Sequence, residues 1–211
     1  MENAFGSPAS CSCRLVLQSA SRMDWEDLPT INTNRLSLRL IRAADADDFY
    51  AVYSNPEVMR YWSTPPLPNR AAASKLISEI HEGLERHELL KWGIALRTDD
   101  KLIGSVTLFH LDFTHRRAEI GYALGRAYWG NGYMQETLKA VLDYAFTVLN
   151  LHRIEADVDP RNDASVRTLE RLGFQREGYL RERWQVDGEI QDAFFYGLLR
   201  PDWELLTARL D

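Results

Sequence analysis

The ten residues Tyr128-Trp129-Gly130-Asn131-Gly132-Tyr133-Met134-Gln135-Glu136-Thr137 constrain this chain more than any others. A strand-like run, 117–124, leads into them, and a long helical pattern follows. Two glycines one residue apart at a strand-to-helix turn let the main chain approach a ligand with no Cβ atoms in the way. The first N–H groups of the following helix have no intrahelical partners and point outward. With the helix dipole behind them, they suit an anion such as a pyrophosphate. The same spacing is also ordinary turn chemistry, and alone it leaves both readings open. Two other phosphate loops are excluded. No Lys-Ser or Lys-Thr follows the glycines, as a Walker loop requires, and Gln135 stands where a Rossmann loop needs its third glycine.

The rest of the chain falls into elements around that turn. Leu36, Leu38 and Leu40 alternate along 34–41, which reads as a half-buried strand. Residues 45–54 read as a helix with Phe49, Val52 and Tyr53 inward, stopped at Asn55-Pro56 and briefly continued over 57–62. The proline-rich 63–69 is a loop, and Tyr61 and Trp62 before it are either core or a substrate wall. Residues 70–87 form a helix with Leu76, Ile77, Ile80 and Leu84 as its buried stripe. Strands at 90–96 and 102–108 make a hairpin, and 110–116 is a polar link. The helix at 134–149 has Met134, Leu138, Val141, Leu142, Ala145, Phe146 and Leu149 on one side. A strand at 153–158 follows, then a helix at 164–172 with Gly173 as its C′ residue. Strands at 174–186 and 190–199 are joined by Asp187-Gly188. This order predicts a mixed α/β (α+β) sheet, with 117–124 and 153–158 as parallel neighbours joined by a crossover helix.

The 211 residues fit one domain. We expect residues 1–30 to be a disordered or non-native extension, 31–205 to be the domain, and 206–211 to be a tail; Met23 is a candidate initiator. Cys11 and Cys13 both lie in the extension and form neither a disulfide framework nor a four-ligand zinc site, so no metal is expected. A formal charge of −6 implies no general affinity for nucleic acid or anionic membrane. The expected setting is a reducing cytoplasm.

Several motifs occur in one order: Glu119-Ile120-Gly121-Tyr122, Trp129-Gly130-Asn131-Gly132-Tyr133, Asn162-Asp163-Ala164-Ser165, Arg171-Leu172-Gly173-Phe174, Glu177-Gly178 and Leu180-Arg181. Together they resemble the GNAT superfamily of acetyl-CoA-dependent N-acetyltransferases, in the branch of the RimJ/RimL-type ribosomal-protein alanine N-acetyltransferases. The likeness spans about 31–205. It implies a sheet splayed open at its centre with acetyl-CoA, the cosubstrate, in the cleft. The pyrophosphate would meet the backbone of Trp129, Gly130, Asn131, Gly132, Tyr133 and Met134. The pantetheine arm would pair with Tyr122, Ala123 and Leu124, and Asn162 would bond to that arm. Two departures stand out. Ala127 replaces the usual Gln or Arg three residues before the first glycine, with Arg126 as a candidate stand-in. Leu169 replaces the tyrosine acid common in the wider superfamily, and Ser165 is the branch's alternative.

Amide formation from an amine and a thioester needs a base for the ammonium, polarisation of the carbonyl, and a donor to the leaving thiolate. Glu119 is the first candidate base and also reads as a solvated strand residue paired with an arginine. Asp157 is the second. Ser165 is the candidate donor and also reads as a first-turn residue bonded to backbone. His110 and His115 read as surface residues. Among Arg167, Arg171, Arg176, Arg181 and Arg183, one or two are candidates for the 3′-phosphate of CoA. No cysteine lies within 31–211, so transfer would be direct, in a ternary complex. The expected partner is an amine acceptor: a protein or peptide N-terminal α-amine, or alternatively a polyamine, aminoglycoside or amino acid. A non-catalytic acyl-CoA-binding module is the reading from another class. The oligomeric state is left as monomer or homodimer.

Overall fold

The structure, a computed structural model, describes residues 28–208. The strands are β1 (Ile31–Asn32), β2 (Leu36–Leu40), β3 (Leu89–Leu96), β4 (Leu102–Asp112), β5 (Arg117–Leu124), β6 (Arg153–Val158), β7 (Gln175–Val186) and β8 (Glu189–Leu199). The α-helices among the described residues are α1 (Ala46–Tyr53), α2 (Pro56–Met59), α3 (Arg70–Glu85), α4 (Tyr133–Thr147), α5 (Asp163–Arg171) and α6 (Arg200–Thr207). All eight strands form one sheet, ordered β1-β2-β3-β4-β5-β6-β8-β7. Successive strands from β1 to β5 pair antiparallel, β6 runs parallel to β5, and β8 lies antiparallel between β6 and β7.

Local chemistry accounts for most element ends. The Asn55 carboxamide accepts from the N–H groups of Glu57 and Val58, with Pro56 at the first helical position of α2. Asn69 caps α3 through Ala72 N, and Asn162 caps α5 through Ser165 N. Helix α5 ends in a Schellman motif: Gly173, at φ +86°, donates to Glu170 O, and Phe174 donates to Leu169 O. Asp187 and Gly188 both have positive φ, as a two-residue turn between twisted strands requires.

One core cluster packs α4, α5 and α6 against Leu38, Trp92, Ile94, Val106 and Ile154. A second gathers α1, α2 and α3 around Ile41, Leu102 and Ala123. Around β2 to β5 the sheet is therefore covered on both faces, which corrects the half-buried reading of 34–41. Arg39 is only 4% exposed, and its guanidinium is held by Asp45 and Asp100. Lys91 lies over the rings of Phe49 and Tyr53. Charges on a covered face persist because they are paired, so an apolar/polar alternation does not by itself mean one wet face.

Three boundaries also move. Strand β4 runs to Asp112, through a register shift after Phe109, so the predicted polar link at 110–116 begins inside a strand. Leu28 belongs to the core, and Pro29 O accepts the Trp92 indole N–H, so these two residues of the predicted extension contact the domain. The rest of the predicted extension, with Cys11, Cys13 and Met23, lies outside the described residues. The last helix continues through Thr207, past the predicted domain end at 205.

The feature that makes a site is the β5–β6 pairing. It holds at Arg117↔Arg153, Ala118↔Ile154 and Glu119↔Glu155, and then stops. Beyond it β5 stays registered on β4 as far as Leu124↔Gly104, and β6 stays on β8 as far as Val158↔Phe194. Two strands continue side by side with their facing edges unpaired, and a cleft opens between them.

Candidate active site

The N-terminus of α4 faces this cleft. Its N-cap residue, Gly132, sits at φ +75° and has no side chain to accept from the helix. The first backbone bond of the helix is Glu136 N to Gly132 O, which leaves the N–H groups of Tyr133, Met134 and Gln135 without helical acceptors. Gly130, at φ +76°, has open space where a Cβ would point. The turn is held from behind. Arg35 Nη1 donates to Asn131 O at 2.9 Å, and the Arg35 guanidinium lies over the Tyr133 ring. Glu136 accepts from Thr33 Oγ1, Arg35 N and Arg35 Nε. Burial works against the Glu136 charge, but these donors outweigh it and hold the carboxyl below its ordinary range. A preformed set of amides at the positive end of a fifteen-residue helix is what an anion requires.

Two cavities share the cleft. The larger, about 580 Å³, runs along the turn and across to α5. It is lined by Tyr122, Ala123, Leu124, Trp129, Gly130 and Gly132, and also by Tyr133, Met134 and Asn162. Those are nine of the ten residues expected around the cofactor. Asn131 is not among them: its carboxamide turns inward and donates to Tyr128 O and Trp129 O. The Leu124 carbonyl accepts the Trp129 indole N–H at 2.6 Å. Of the arginine cluster, Arg167 and Arg171 line this cavity. Arg183 instead binds Asp157, and Arg176 lies over the Phe194 ring. Arg126 is engaged with Glu57 and the face of Trp129.

The smaller cavity, about 220 Å³, contains all three candidate catalytic residues, Glu119, Asp157 and Ser165. Tyr61, Trp62, Tyr122, Asn162 and Ser165 line both cavities, so the two meet there. Tyr61 and Trp62 thus form a wall of the cleft, although Trp62 also packs edge-on against Tyr53. The far wall is the body of the last hairpin, through Trp184, Gln191 and Asp192. Its Asp187-Gly188 tip does not line the cavity. Asp157 accepts from Arg183 Nε at 2.9 Å, while its other oxygen is buried without a hydrogen-bond partner. Asp159 is held by Arg161, which also reaches Glu189. Glu119 has a different partner, His110 Nδ1 at 2.8 Å.

That contact was not visible in the sequence. In regular register Phe109 pairs with Glu119, and the next residue would point away. The bulge, with His110 at φ +49°, turns the imidazole back onto the carboxylate. The local signal was a histidine nine positions before the glutamate across a short connection, and no pattern marks a bulge there. His115 instead binds Asp112 at the strand end. Leu169, at the position of the wider superfamily's tyrosine, is completely buried. Among the described residues no group of three or more His, Cys, Asp or Glu is placed to hold a metal ion, and no helix is long and apolar enough to cross a membrane.

Comparison with known proteins points the same way. Residues 35–175 match the model of the acetyltransferase (GNAT) domain. The chain is 36% identical over 176 residues to the uncharacterized N-acetyltransferase p20 of Bacillus licheniformis, covering 83% of this chain and 99% of that protein. Its fold superposes on spermidine N-acetyltransferase from Vibrio cholerae, a structure in complex with CoA and spermine, with a TM-score of 0.72 at 26% identity, covering 82% and 99% of the two chains. Ribosomal-protein-S5-alanine acetyltransferase from Vibrio fischeri shares the fold, with a TM-score of 0.72 at 23% identity, covering 83% and 98%.

Proposed function

Since this chain belongs to the GNAT family of acetyl-CoA-dependent N-acetyltransferases, we propose that it acetylates the α-amine at a peptide or protein N-terminus. The amine attacks the thioester directly in a ternary complex. The pyrophosphate rests on the free N–H groups at the start of α4, and the pantetheine arm runs along the open edge of β5. The thioester then sits where the two cavities meet, beside Tyr122, Asn162 and Ser165. Glu119 takes the amine proton, directly or through water. As the C–N bond forms and the C–S bond breaks, the electron pair goes to sulfur, and Ser165 Oγ–H donates to the developing thiolate.

The observation that carries this reading is the difference between Glu119 and the other carboxylates of the small cavity. Asp157 and Asp159 are each bound by a guanidinium, a permanent cation that cannot take up a proton and pass it on. Glu119 is bound by an imidazole that opens to solvent and can pass a proton onward. A single carboxylate with such a relay suits an amine that is already partly neutral. An α-amine has a pKa about 2.5 units below that of lysine, so far more of it is unprotonated at pH 7.

A second reading has its own support. Glu119, Asp157, Asp159 and Asp192 all line the small cavity, with Trp184 and Tyr61 beside them, and carboxylates with aromatic faces also suit a polyamine. Thiol release should be followed with peptides bearing free or blocked N-termini, with and without lysine, beside spermidine and an aminoglycoside. Fastest turnover of a free-N-terminus peptide is expected. Faster acetylation of spermidine than of every such peptide would overturn the α-amine reading in favour of the small amine.

A further inference from the structure

The Tyr122 hydroxyl and Ser165 Oγ lie 2.6 Å apart, across 43 positions of sequence and between β5 and α5. Serine in the first turn of a helix commonly turns back onto the backbone. Thr168, three residues on, does so, donating to Ala164 O at 2.7 Å. Ser165 does not; its hydroxyl meets the phenol. Its backbone is held as well, since Ser165 N donates to the Asn162 carboxamide. Both side chains line both cavities, so the contact lies where the sulfur would leave.

The direction of the hydrogen bond follows from acidity. A phenol is a far stronger acid than an aliphatic alcohol, and its oxygen is the poorer acceptor, so Tyr122 donates and Ser165 accepts. The serine proton is then left to point into the cleft. We infer that Tyr122 is a positioning residue for acetyl transfer: its hydroxyl occupies the lone pair of Ser165 that faces β5, aims the serine O–H at the cofactor sulfur, and strengthens that donor by polarising it. This rests on the reading of Ser165 given above.

Proton accounting fixes what the pair can supply. Burial pushes the Tyr122 phenol up to about 12, with the Ser165 contact acting in the opposite direction. A thiol ionises near 8.5, so passing a proton from Tyr122 to the thiolate is uphill by roughly 3.5 pKa units. The pair therefore contributes hydrogen bonds and keeps its protons. The amine proton goes to Glu119, and the thiolate is protonated by water after it leaves.

The test uses the full chain and two readouts. The first is kcat and KM for acetyl-CoA in Tyr122→Phe, Ser165→Ala and the double variant, with whichever of a free-N-terminus peptide or spermidine turns over faster. The second is the pKa of the CoA thiol bound to each protein, read from thiolate ultraviolet absorbance, which needs no acceptor. A lost hydrogen bond to a charged group predicts about a 30-fold fall in kcat for Ser165→Ala. Loss of polarisation alone predicts about a fivefold fall for Tyr122→Phe, with little change in KM. The double variant should be no slower than Ser165→Ala, and both single variants should raise the bound-thiol pKa. If Ser165→Ala slows the enzyme but Tyr122→Phe leaves kcat and thiol pKa unchanged, the role of Tyr122 is refuted and that of Ser165 stands. Full additivity in the double variant refutes action through Ser165. No effect of Ser165→Ala on either readout overturns the Ser165 reading itself.

Discussion

Gly130 and Gly188 permit a controlled test of the cofactor turn. Both have strongly positive φ, +76° and +85°, and at both a Cβ would meet no protein atom within 4 Å. Gly130 lines the larger cavity, whereas Gly188 is at the tip of the β7–β8 hairpin, away from it. Replacing either by alanine adds only the cost of a left-handed residue, about 1–2 kcal/mol. For a domain of this size that lowers the melting midpoint by roughly 2–8 °C, to a similar extent in the two variants. Ligand should separate them. Acetyl-CoA at ~100 times its dissociation constant adds about 2.7 kcal/mol to the parent, a rise of roughly 5–11 °C. Gly188→Ala should keep that whole increment. Gly130→Ala should lose most of it, because its methyl group occupies space the pyrophosphate needs. Differential scanning fluorimetry with and without acetyl-CoA gives both numbers, and calorimetric titration gives the affinities. Equal ligand shifts in the two alanine variants would show that the turn does not hold the cofactor.

Three other changes probe the frame. Gly104→Ala places a Cβ against Ala123 O and Leu124 Cα, which are backbone atoms that cannot swing aside; it should cost about 2–3 kcal/mol in urea denaturation, and a loss under ~0.5 kcal/mol would contradict the packing of β4 on β5. Glu136→Gln loosens the hold of Arg35 and Thr33 on the turn, so KM for acetyl-CoA should rise severalfold with kcat little changed; an unaltered KM would remove that support role. The Arg153 guanidinium holds Glu177 below its ordinary range. The stability from this pair is therefore complete above the unfolded carboxylate pKa of about 4.3 and is lost as pH falls through the lower folded value. Melting midpoints measured downward from pH 6 should converge for the parent and Glu177→Gln as the medium becomes acidic; a constant gap would refute the linkage.

The helices were legible because their stripes repeat with the helical period and their ends carry Asn55-Pro56, Asn69, Asn162 and Gly173. The crossover from β5 through α4 to β6 followed from chain order. Three things did not. Alternation along β2 revealed one apolar face and hid that Arg39 is buried on the other, because its carboxylate partners lie six and sixty-one positions away. The bulge that brings His110 to Glu119 has no residue signature, since a non-glycine residue adopts the positive φ. The Tyr122–Ser165 bond joins an element classed by its backbone to one classed by its cap, and only the opening of the sheet brings them together. The glycine turn at the head of α4 was easier to read because it is contiguous, and nine of the ten residues expected around the cofactor line one cavity.

The place of β8 between β6 and β7 governs how the ribosome can deliver this enzyme. Strand β6 pairs with residues synthesised about 40 positions after it, from Val158↔Phe194 out to Arg153↔Leu199. At ~5–20 residues per second, that is roughly 2–8 s in which the growing chain carries α4 and six of the eight strands, ending in an unsatisfied one. A bare strand edge is a template for foreign pairing, so these seconds are when a nascent chain is most exposed to aggregation. The wall bearing Trp184, Gln191 and Asp192 arrives in the same late stretch. A truncated product lacking β8 thus lacks both the strand that completes β6 and one wall of the smaller cavity, and that site stays incomplete until β8 has been made.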